Sequence, residues 1–360
     1  MDYDFALAQE ASFRIEKPVE VHYTQAALFQ NSTPSEGSNA MGILVTGGAG
    51  FIGSHLLERL LADGQACVCL DNFDPFYPEA IKRRNLAGCL GHRDFRLVEA
   101  DLRDPEAYRK IEGTMQISAI VHLAARAGVR PSLEQPLLYG DVNLNGTLRL
   151  LEFAREKGIQ RFVFASSSSV YGNNEKIPFH EDDRVDWPIS PYAATKKAGE
   201  LLCHTHSHLY GIACSCLRFF TVYGPRQRPE MAIHQFTRKI DRGETLSLYG
   251  DGSSERDYTY ISDIIQGVMG AIERVSGYEI VNLGESRTVS LKELVERIEK
   301  SMGKKARILR MSEQPGDVRR TCADISRARE RYGYNPQVPI EEGIPRFVEW
   351  YQARARDLPV

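Results

Sequence analysis

Tyr192 and Lys196 stand four residues apart in SPYAATKKAGELL. A helix there puts both side chains on one face. A free phenol loses its proton only near pH ~10, and an ammonium beside it favours the phenolate. A tyrosine base working near neutral pH needs that help. Upstream lies ASSSSVYG, residues 165–172, four serines closing an apolar run. At the carboxyl end of a strand, one of those hydroxyls would face the ligand crevice of an open α/β sheet and meet the tyrosine there. A third group is VTGGAGFIG, with Gly47, Gly48, Gly50 and Gly53. Between a strand and a helix, Gly47 and Gly50 let the backbone approach a pyrophosphate, and Gly53 lets the helix pack close to the sheet. The helix start supplies unpaired N–H groups and a positive dipole end for phosphates. Asp71 closes the next strand-like run, QACVCLD, and is placed to hold ribose hydroxyls. Its carboxylate repels a 2′-phosphate, and Asn72 and Phe73 after it offer no arginine, which favours NAD over NADP.

Elements in a regular alternation must carry these groups. Strands are expected at GILVT, QACVCLD, FRLVEAD, ISAIVHLA, RFVFASS and IACSCLRFF. Helices are expected from Phe51, from Val142 to the Gly158 stop, and from Pro191, with Ser190 as cap. The strands read as continuous apolar runs, as in a parallel sheet covered on both faces. The fold class is therefore α/β, a Rossmann-type doubly wound parallel sheet, with a smaller discontinuous α/β substrate domain. Residues 41–219 plus about 258–275 are assigned to the NAD-binding domain, and 220–257 plus 276–360 to the substrate domain. TVYGPRQRPEMAI is read as a loop, residues 262–275 as a helix packing back on the first domain, and Ser290 with Glu293 as a capping box. Residues 1–40 show no period and no basic start with an apolar run, so they are read as a loosely ordered extension or added sequence, without a signal peptide.

Taken together, TGGAGFIG, LAARAGVRPSLEQP, ASSSSVYG, SPYAATK, RFFTVYGPRQRPEMA and RDYTYISDI resemble the extended short-chain dehydrogenase/reductase family. Within it they are most similar to the NAD-dependent nucleotide-sugar epimerases, closest to UDP-glucuronate 4-epimerases, over roughly residues 41–355. The resemblance implies a bound NAD, a UDP-sugar substrate and a homodimer built on the helices that begin near Asn143 and Pro191. It makes Tyr192 the base, Lys196 the lysine that also binds the nicotinamide ribose, and Ser167 the third catalytic residue. Phe51, Ile52, Asn72, Asp101, Leu102, Ala124, Ala125 and Asn143 join Gly47, Gly50, Gly53 and Asp71 at the cofactor. Arg228 and Arg256 match arginines at the diphosphate.

The same resemblance narrows the reaction. Dehydratases of this fold carry an Asp-Glu pair before the VYG segment, and glucuronate decarboxylases carry a glutamate at the position of Ser169. Here Ser168 and Ser169 stand there. The remaining outcome is epimerisation: oxidation to a 4-ketose, rotation and re-reduction. Thr221, where galactose-type epimerases commonly have asparagine, adds a third neutral donor to Ser168 and Ser169, which suits a C5 carboxylate. UDP-glucuronate is the expected substrate and UDP-glucose the alternative.

Composition sets the outer limits. A net charge of −3 argues against a partner such as nucleic acid held by bulk charge. No apolar run is long enough for a membrane span. Seven cysteines without paired CxxC motifs suit reduced, buried thiols and a cytoplasmic setting. In HTHSH only His204 and His208 share a helix face, without a nearby carboxylate cluster, so no metal is expected.

Overall fold

The computed structural model describes residues 41–312 and 318–356. The reading of residues 1–40 lies outside the described residues. The strands are β1 (Gly42–Thr46), β2 (Cys67–Asp71), β3 (Phe95–Glu99), β4 (Ile117–His122), β5 (Arg161–Ser167), β6 (Ala213–Phe219), β7 (Thr221–Tyr223), β8 (Thr245–Tyr249), β9 (Glu255–Tyr260), β10 (Tyr278–Leu283), β11 (Thr288–Ser290) and β12 (Arg307–Met311). The helices are α1 (Phe51–Ala62), α2 (Glu79–Asn85), α3 (Pro105–Glu112), α4 (Val129–Glu134), α5 (Pro136–Gly140), α6 (Gly146–Glu156), α7 (Pro191–Tyr210), α8 (Ala232–Arg242), α9 (Ile261–Arg274), α10 (Leu291–Met302), α11 (Ser326–Tyr332) and α12 (Ile340–Trp350).

Seven parallel strands form one sheet in the order β10-β6-β5-β4-β1-β2-β3. The chain runs outward from β1 through β3, then returns past β1 to β4. That reversal opens a crevice at the carboxyl ends of the strands, where this fold class binds ligands. Alternate residues face opposite sides. Ile43 and Val45 of β1, with Val163 and Ala165 of β5, join one apolar cluster together with α1 and α9. Leu44, Phe162 and Phe164 join the other, with α3, α6 and α7. Both faces are thus covered, which is why the strands read as unbroken apolar runs.

The smaller part holds a three-stranded sheet, β11-β9-β7, and the parallel pair β12-β8. Two readings change here. TVY, taken as loop, is strand β7 and pairs with β9. Residues 278–283 were placed with the smaller part, but β10 is the last strand of the large sheet, in register with β6 from Cys214 to Phe219. Val281 and Leu283 are buried in one cluster while Ile280 packs against the other. An apolar strand of this kind covers the open edge of β6, and a boundary at residue 276 cuts it from the sheet it completes. Helix α9 packs against α1 as expected. The capping box at α10 forms by half: Ser290 Oγ accepts from Glu293 N (3.1 Å), while the Glu293 carboxylate turns to Arg297. No helix among the described residues is long and apolar enough to cross a membrane.

Helix α7 carries the tyrosine and lysine. Ser190 caps it, its hydroxyl accepting from Ala193 N (3.1 Å), with Pro191 in the first turn. Gly199 is the close-approach residue. A Cβ there would lie 2.4 Å from the Phe164 ring of β5. The missing side chain therefore sets how near α7 comes to the strand. Gly199→Ala forces helix or ring to give way, with an expected loss of about 1–3 kcal/mol. Denaturant unfolding measures it, and an unchanged midpoint would show that α7 is free to shift.

Candidate active site

The site starts at the turn between β1 and α1. Gly47 has φ +71°, and a Cβ there would lie 2.7 Å from Ala124 N. A Cβ on Gly53 would lie 2.4 Å from Gly47 O. The turn is thus pressed against β4 on one side and its own helix on the other. The first turn of α1 has no side-chain cap and no acidic residue, so its N–H groups and dipole end are left for an anion. Asp71 accepts from Ala49 N (3.0 Å) and Phe73 N (2.8 Å), so it braces the glycine turn as well as bordering the cavity. Burial pushes its carboxyl up, against the pull of Lys82 and those two N–H groups. Asn72 Nδ2 donates to Asp101 (2.9 Å), and Arg103 grips both Asp101 oxygens at 2.9 and 2.8 Å. Those Arg103 bonds hold the Asp101 carboxyl down at about 2.

The catalytic candidates meet at the end of β5. Ser167 caps the short 3₁₀ turn that follows it, accepting from Ser169 N and donating to Ser169 Oγ, both at 3.1 Å. Tyr192 stands edge-on to Tyr139, ring centroids 6.3 Å apart. Burial pushes its phenol up, while the Ser167 hydroxyl and the Arg228 charge pull it down. Lys196 is buried, lies 5.0 Å above the Phe164 ring and donates to Ala165 O at 2.7 Å. Burial lowers its ammonium to about 8. The hydrogen bond of Lys196 goes to the strand carbonyl, and the Arg228 charge is a further cation that favours the Tyr192 phenolate.

One cavity of about 400 Å³ unites these groups. Its lining includes the cofactor candidates Gly47, Gly50, Phe51, Ile52, Gly53, Asp71, Asn72, Asp101, Leu102, Ala124 and Ala125, and the reaction candidates Ser167, Ser168, Ser169, Tyr192, Lys196, Thr221 and Arg228. Two expected residues are elsewhere. Asn143 lies in a π-helical turn, Asp141–Asn145, just behind the wall. Its amide donates to Arg126 O (3.1 Å) and Thr195 Oγ1 (3.0 Å) and accepts from Arg126 N (2.8 Å). It ties the loop after β4 to α7 and does not border the cavity. Arg256 sits on β9 and donates to Glu255 O (2.9 Å), outside the lining. Its strand is the middle one of the three-stranded sheet, between β11 and β7, and its guanidinium also donates to Arg319 O (3.4 Å).

The sequence reading missed the loop after Asp71. Asp74, Phe76, Tyr77, Lys82 and Arg126 all line the cavity. Arg126 pairs with Asp74, and Phe76 lies between two guanidinium groups, Arg126 at 5.0 Å and Arg228 at 5.8 Å. Lys82 donates to Asp74 O (2.8 Å) and sits 4.8 Å from the Tyr77 ring. The signal was DPFYP, two aromatics held by prolines beside a candidate cofactor acid. The cofactor implied by the sequence fits this surface. The glycine turn leaves no room for side chains, the helix start is uncapped, and the carboxylates of Asp71 and Asp101 border the end where ribose hydroxyls would lie.

A family model described as GDP-mannose 4,6 dehydratase matches residues 44–347. UDP-glucuronate 4-epimerase of Thermodesulfobacterium geofontis is 44% identical over 308 residues, 85% of this chain and 95% of that one. The crystal structure of UDP-glucuronic acid 4-epimerase from Bacillus cereus, in complex with UDP-glucuronic acid and NAD, superposes with a TM-score of 0.82 at 35% identity, covering 87% of this chain and 99% of that one. UDP-glucose 4-epimerase from Thermotoga maritima, with UDP-glucose, gives a TM-score of 0.80 at 32% identity, covering 87% and 99%.

Lys196 provides a test of the site's electrostatics. Its folded value of about 8 lies below the ordinary ~10.4, so the fold penalises the ammonium. That penalty is full below pH 8 and is relieved as pH rises toward 10, so stability contributed here increases across that window. The stability of Lys196→Met relative to the unaltered protein is expected to be greatest below pH 8 and to shrink toward pH 10. Denaturant unfolding at several pH values checks this; a difference that stays flat with pH would contradict the burial of a charged lysine.

Proposed function

The chain belongs to the GDP-mannose 4,6-dehydratase family of extended short-chain dehydrogenases/reductases, and on that premise we propose that it is an NAD-dependent UDP-sugar 4-epimerase acting on UDP-glucuronate to give UDP-galacturonate. One observation carries the reading. Ser167, Tyr192 and Lys196 share a cavity with the glycine turn, and the acids among the described lining residues are Asp71, Asp74 and Asp101, all from the strand ends at the cofactor side. The reacting end is lined by hydroxyls.

Gly47, Gly50, Gly53 and the start of α1 would hold the pyrophosphate, Asp71 the adenosine ribose and Lys196 the nicotinamide ribose. NAD bound there supplies a hydride acceptor that can give the hydride back. Tyr192 takes the proton of the sugar 4-hydroxyl, with Ser167 bridging the two oxygens, and returns it when the 4-ketose is reduced on its other face. Arg228 lowers the cost of the phenolate and, from the cavity lining, would pair with a diphosphate oxygen. Ser168, Ser169 and Thr221 would hold the C5 carboxylate by hydroxyl donors and keep it from the geometry that loses CO₂. UDP-glucose is the second reading, since the same neutral hydroxyls accept a hydroxymethyl group and the Thermotoga maritima relative was solved with that sugar. Seven buried free thiols support a reducing, cytoplasmic setting.

A homodimer completes the proposal. Leu137 is 88% exposed, and Leu148, Leu201 and Leu209 are exposed on α6 and α7. An apolar face of this kind suits a second copy of the chain packing helix on helix. Leu201→Glu is expected to shift a dimer toward monomer in light scattering; a monomeric unaltered protein would overturn this part.

Product analysis tests the chemistry. With UDP-glucuronate and UDP-glucose offered side by side, UDP-galacturonate is expected from the first. UDP-pentose as the main product would sink the carboxylate-holding role of the hydroxyls. Tyr192→Phe should keep NAD but lose turnover by about 10²–10⁴-fold. Near-normal rates in that variant would remove Tyr192 as the base.

A further inference from the structure

We propose that Ser166 and Glu200 form a clamp that sets α7 against the end of β5, making Ser166 a positioning residue for Tyr192 and Lys196; the inference rests on the epimerase reading above. Three successive residues of β5 engage three residues of one helix stripe. Ala165 O accepts from Lys196 Nζ (2.7 Å). Ser166 Oγ donates to Glu200 Oε1 (2.6 Å). The Ser167 hydroxyl bears on the Tyr192 phenol. Positions 192, 196 and 200 are spaced by four, so they share a face of α7. The strand supplies a proton-handling hydroxyl, a strut and a lysine acceptor in consecutive residues.

Glu200 is itself immobilised. Its side chain is fully buried. Arg218 of β6 donates to both carboxylate oxygens, Nε to Oε1 (2.8 Å) and Nη2 to Oε2 (3.0 Å), and Lys197 Nζ reaches Oε2 at 3.2 Å. Arg218 also donates to Glu181 O (3.2 Å) and lies 4.7 Å from the Tyr171 ring. Tyr171 closes the 3₁₀ turn after the serines, and its hydroxyl donates to Asn282 of β10 (2.7 Å). Tyr278, on the same strand, donates to Glu200 O (3.1 Å). Burial pushes the Glu200 carboxyl up, yet Arg218, Ser166 and Lys197 together hold it below its ordinary range. The Ser166 bond is therefore charge-assisted as well as short. Arg218 fixes the carboxylate to β6, and Ser166 carries that fixed point to the strand that bears Ser167.

The consequence is geometric. Gly199 lets α7 approach Phe164 closely, but close packing alone leaves the helix free to slide along the strand. The Ser166 hydroxyl sets the register at the turn below Lys196. A displacement of about 1 Å at a reacting group can lower the rate by about 10²-fold.

Ser166→Ala and Ser166→Thr separate a positioning role from a merely structural one. Turnover and KM for UDP-glucuronate, NAD content and thermal midpoint are measured for both variants and the unaltered protein. Ser166 borders the cavity, but its hydroxyl is committed to Glu200, so for Ser166→Ala we expect kcat to fall by about tenfold or more with KM within about twofold, as the reacting groups are misplaced. NAD content should be unchanged. Ser166→Thr keeps the hydroxyl and should retain most of kcat. Unchanged kcat in Ser166→Ala overturns the clamp while leaving the epimerase reading intact. Equal losses in both variants would assign the effect to packing and also overturn it. An unaltered protein inert toward UDP-glucuronate and UDP-glucose overturns the underlying reading and the clamp with it.

Discussion

The contact between strand β5 and helix α7 is the constraint on which the rest depends. A tyrosine base, a bridging hydroxyl and a cofactor-facing lysine must converge within hydrogen-bond range, and they come from two elements. The sheet delivers the strand end to the crevice where the chain reverses direction. Gly199 removes the side chain that would hold the helix off Phe164. Lys196 and Ser166 then join helix to strand by polar bonds at successive residues. A loose version of this contact would still fold as an α/β sandwich. It would not align a proton acceptor with a sugar hydroxyl.

Making that contact polar has consequences for stability. Glu200 and Arg218 are a buried ion pair, and taking both charges out of water costs several kcal/mol. The pair is tolerated because Ser166, Lys197 and the Glu181 carbonyl satisfy further hydrogen-bonding sites. Lys196 is a harsher case. Its ammonium is buried against a carbonyl and an aromatic face, and burial lowers it to about 8. A leucine would pack there with less penalty. The penalty is understandable where a bound cofactor offers ribose hydroxyls and a phenolate needs a nearby cation. Arg228 fills part of that electrostatic role through space.

Much of this was legible in the chain because it depends on local rules. The strand–glycine–helix turn, the Ser190 cap and the four-residue spacing of Tyr192 and Lys196 are short-range patterns with fixed geometric outcomes. What escaped the reading is long-range. YEIVNL carries no signal that it completes the large sheet beside β6, because an edge strand is chosen by the open edge it covers. Arg126 and Phe76 are fifty residues apart and meet only through tertiary folding. The resemblance puts Asn143 and Arg256 at ligands, and their partners in the fold, the Arg126 backbone and Thr195 for one and the carbonyls of Glu255 and Arg319 for the other, are not written in the local sequence. Ser166 went without a role because its partner is thirty-four residues on, facing it from another element.

The serine run also explains how a member of a family named for dehydration can be suited to a different outcome. Elimination of water from a 4-ketose needs a general acid and a general base beside the sugar's C5 and C6. Ser168 and Ser169 line the cavity, and its acids among the described residues are Asp71, Asp74 and Asp101, from the ends of β2 and β3 and the loop after β2. A serine hydroxyl titrates far above neutral pH and can donate or accept a hydrogen bond without exchanging a proton with carbon. Without an acid–base pair for elimination, and with the C5 carboxylate held from losing CO₂ as proposed above, the return of hydride to C4 is the exit left to the ketose. In the proposed mechanism Ser167 would serve that return, because the proton it passes to and from Tyr192 moves between oxygens. Ser166 would serve it through Glu200, by holding the helix that carries Tyr192. The four hydroxyls thus leave the site able to oxidise and reduce one carbon while sparing its neighbours.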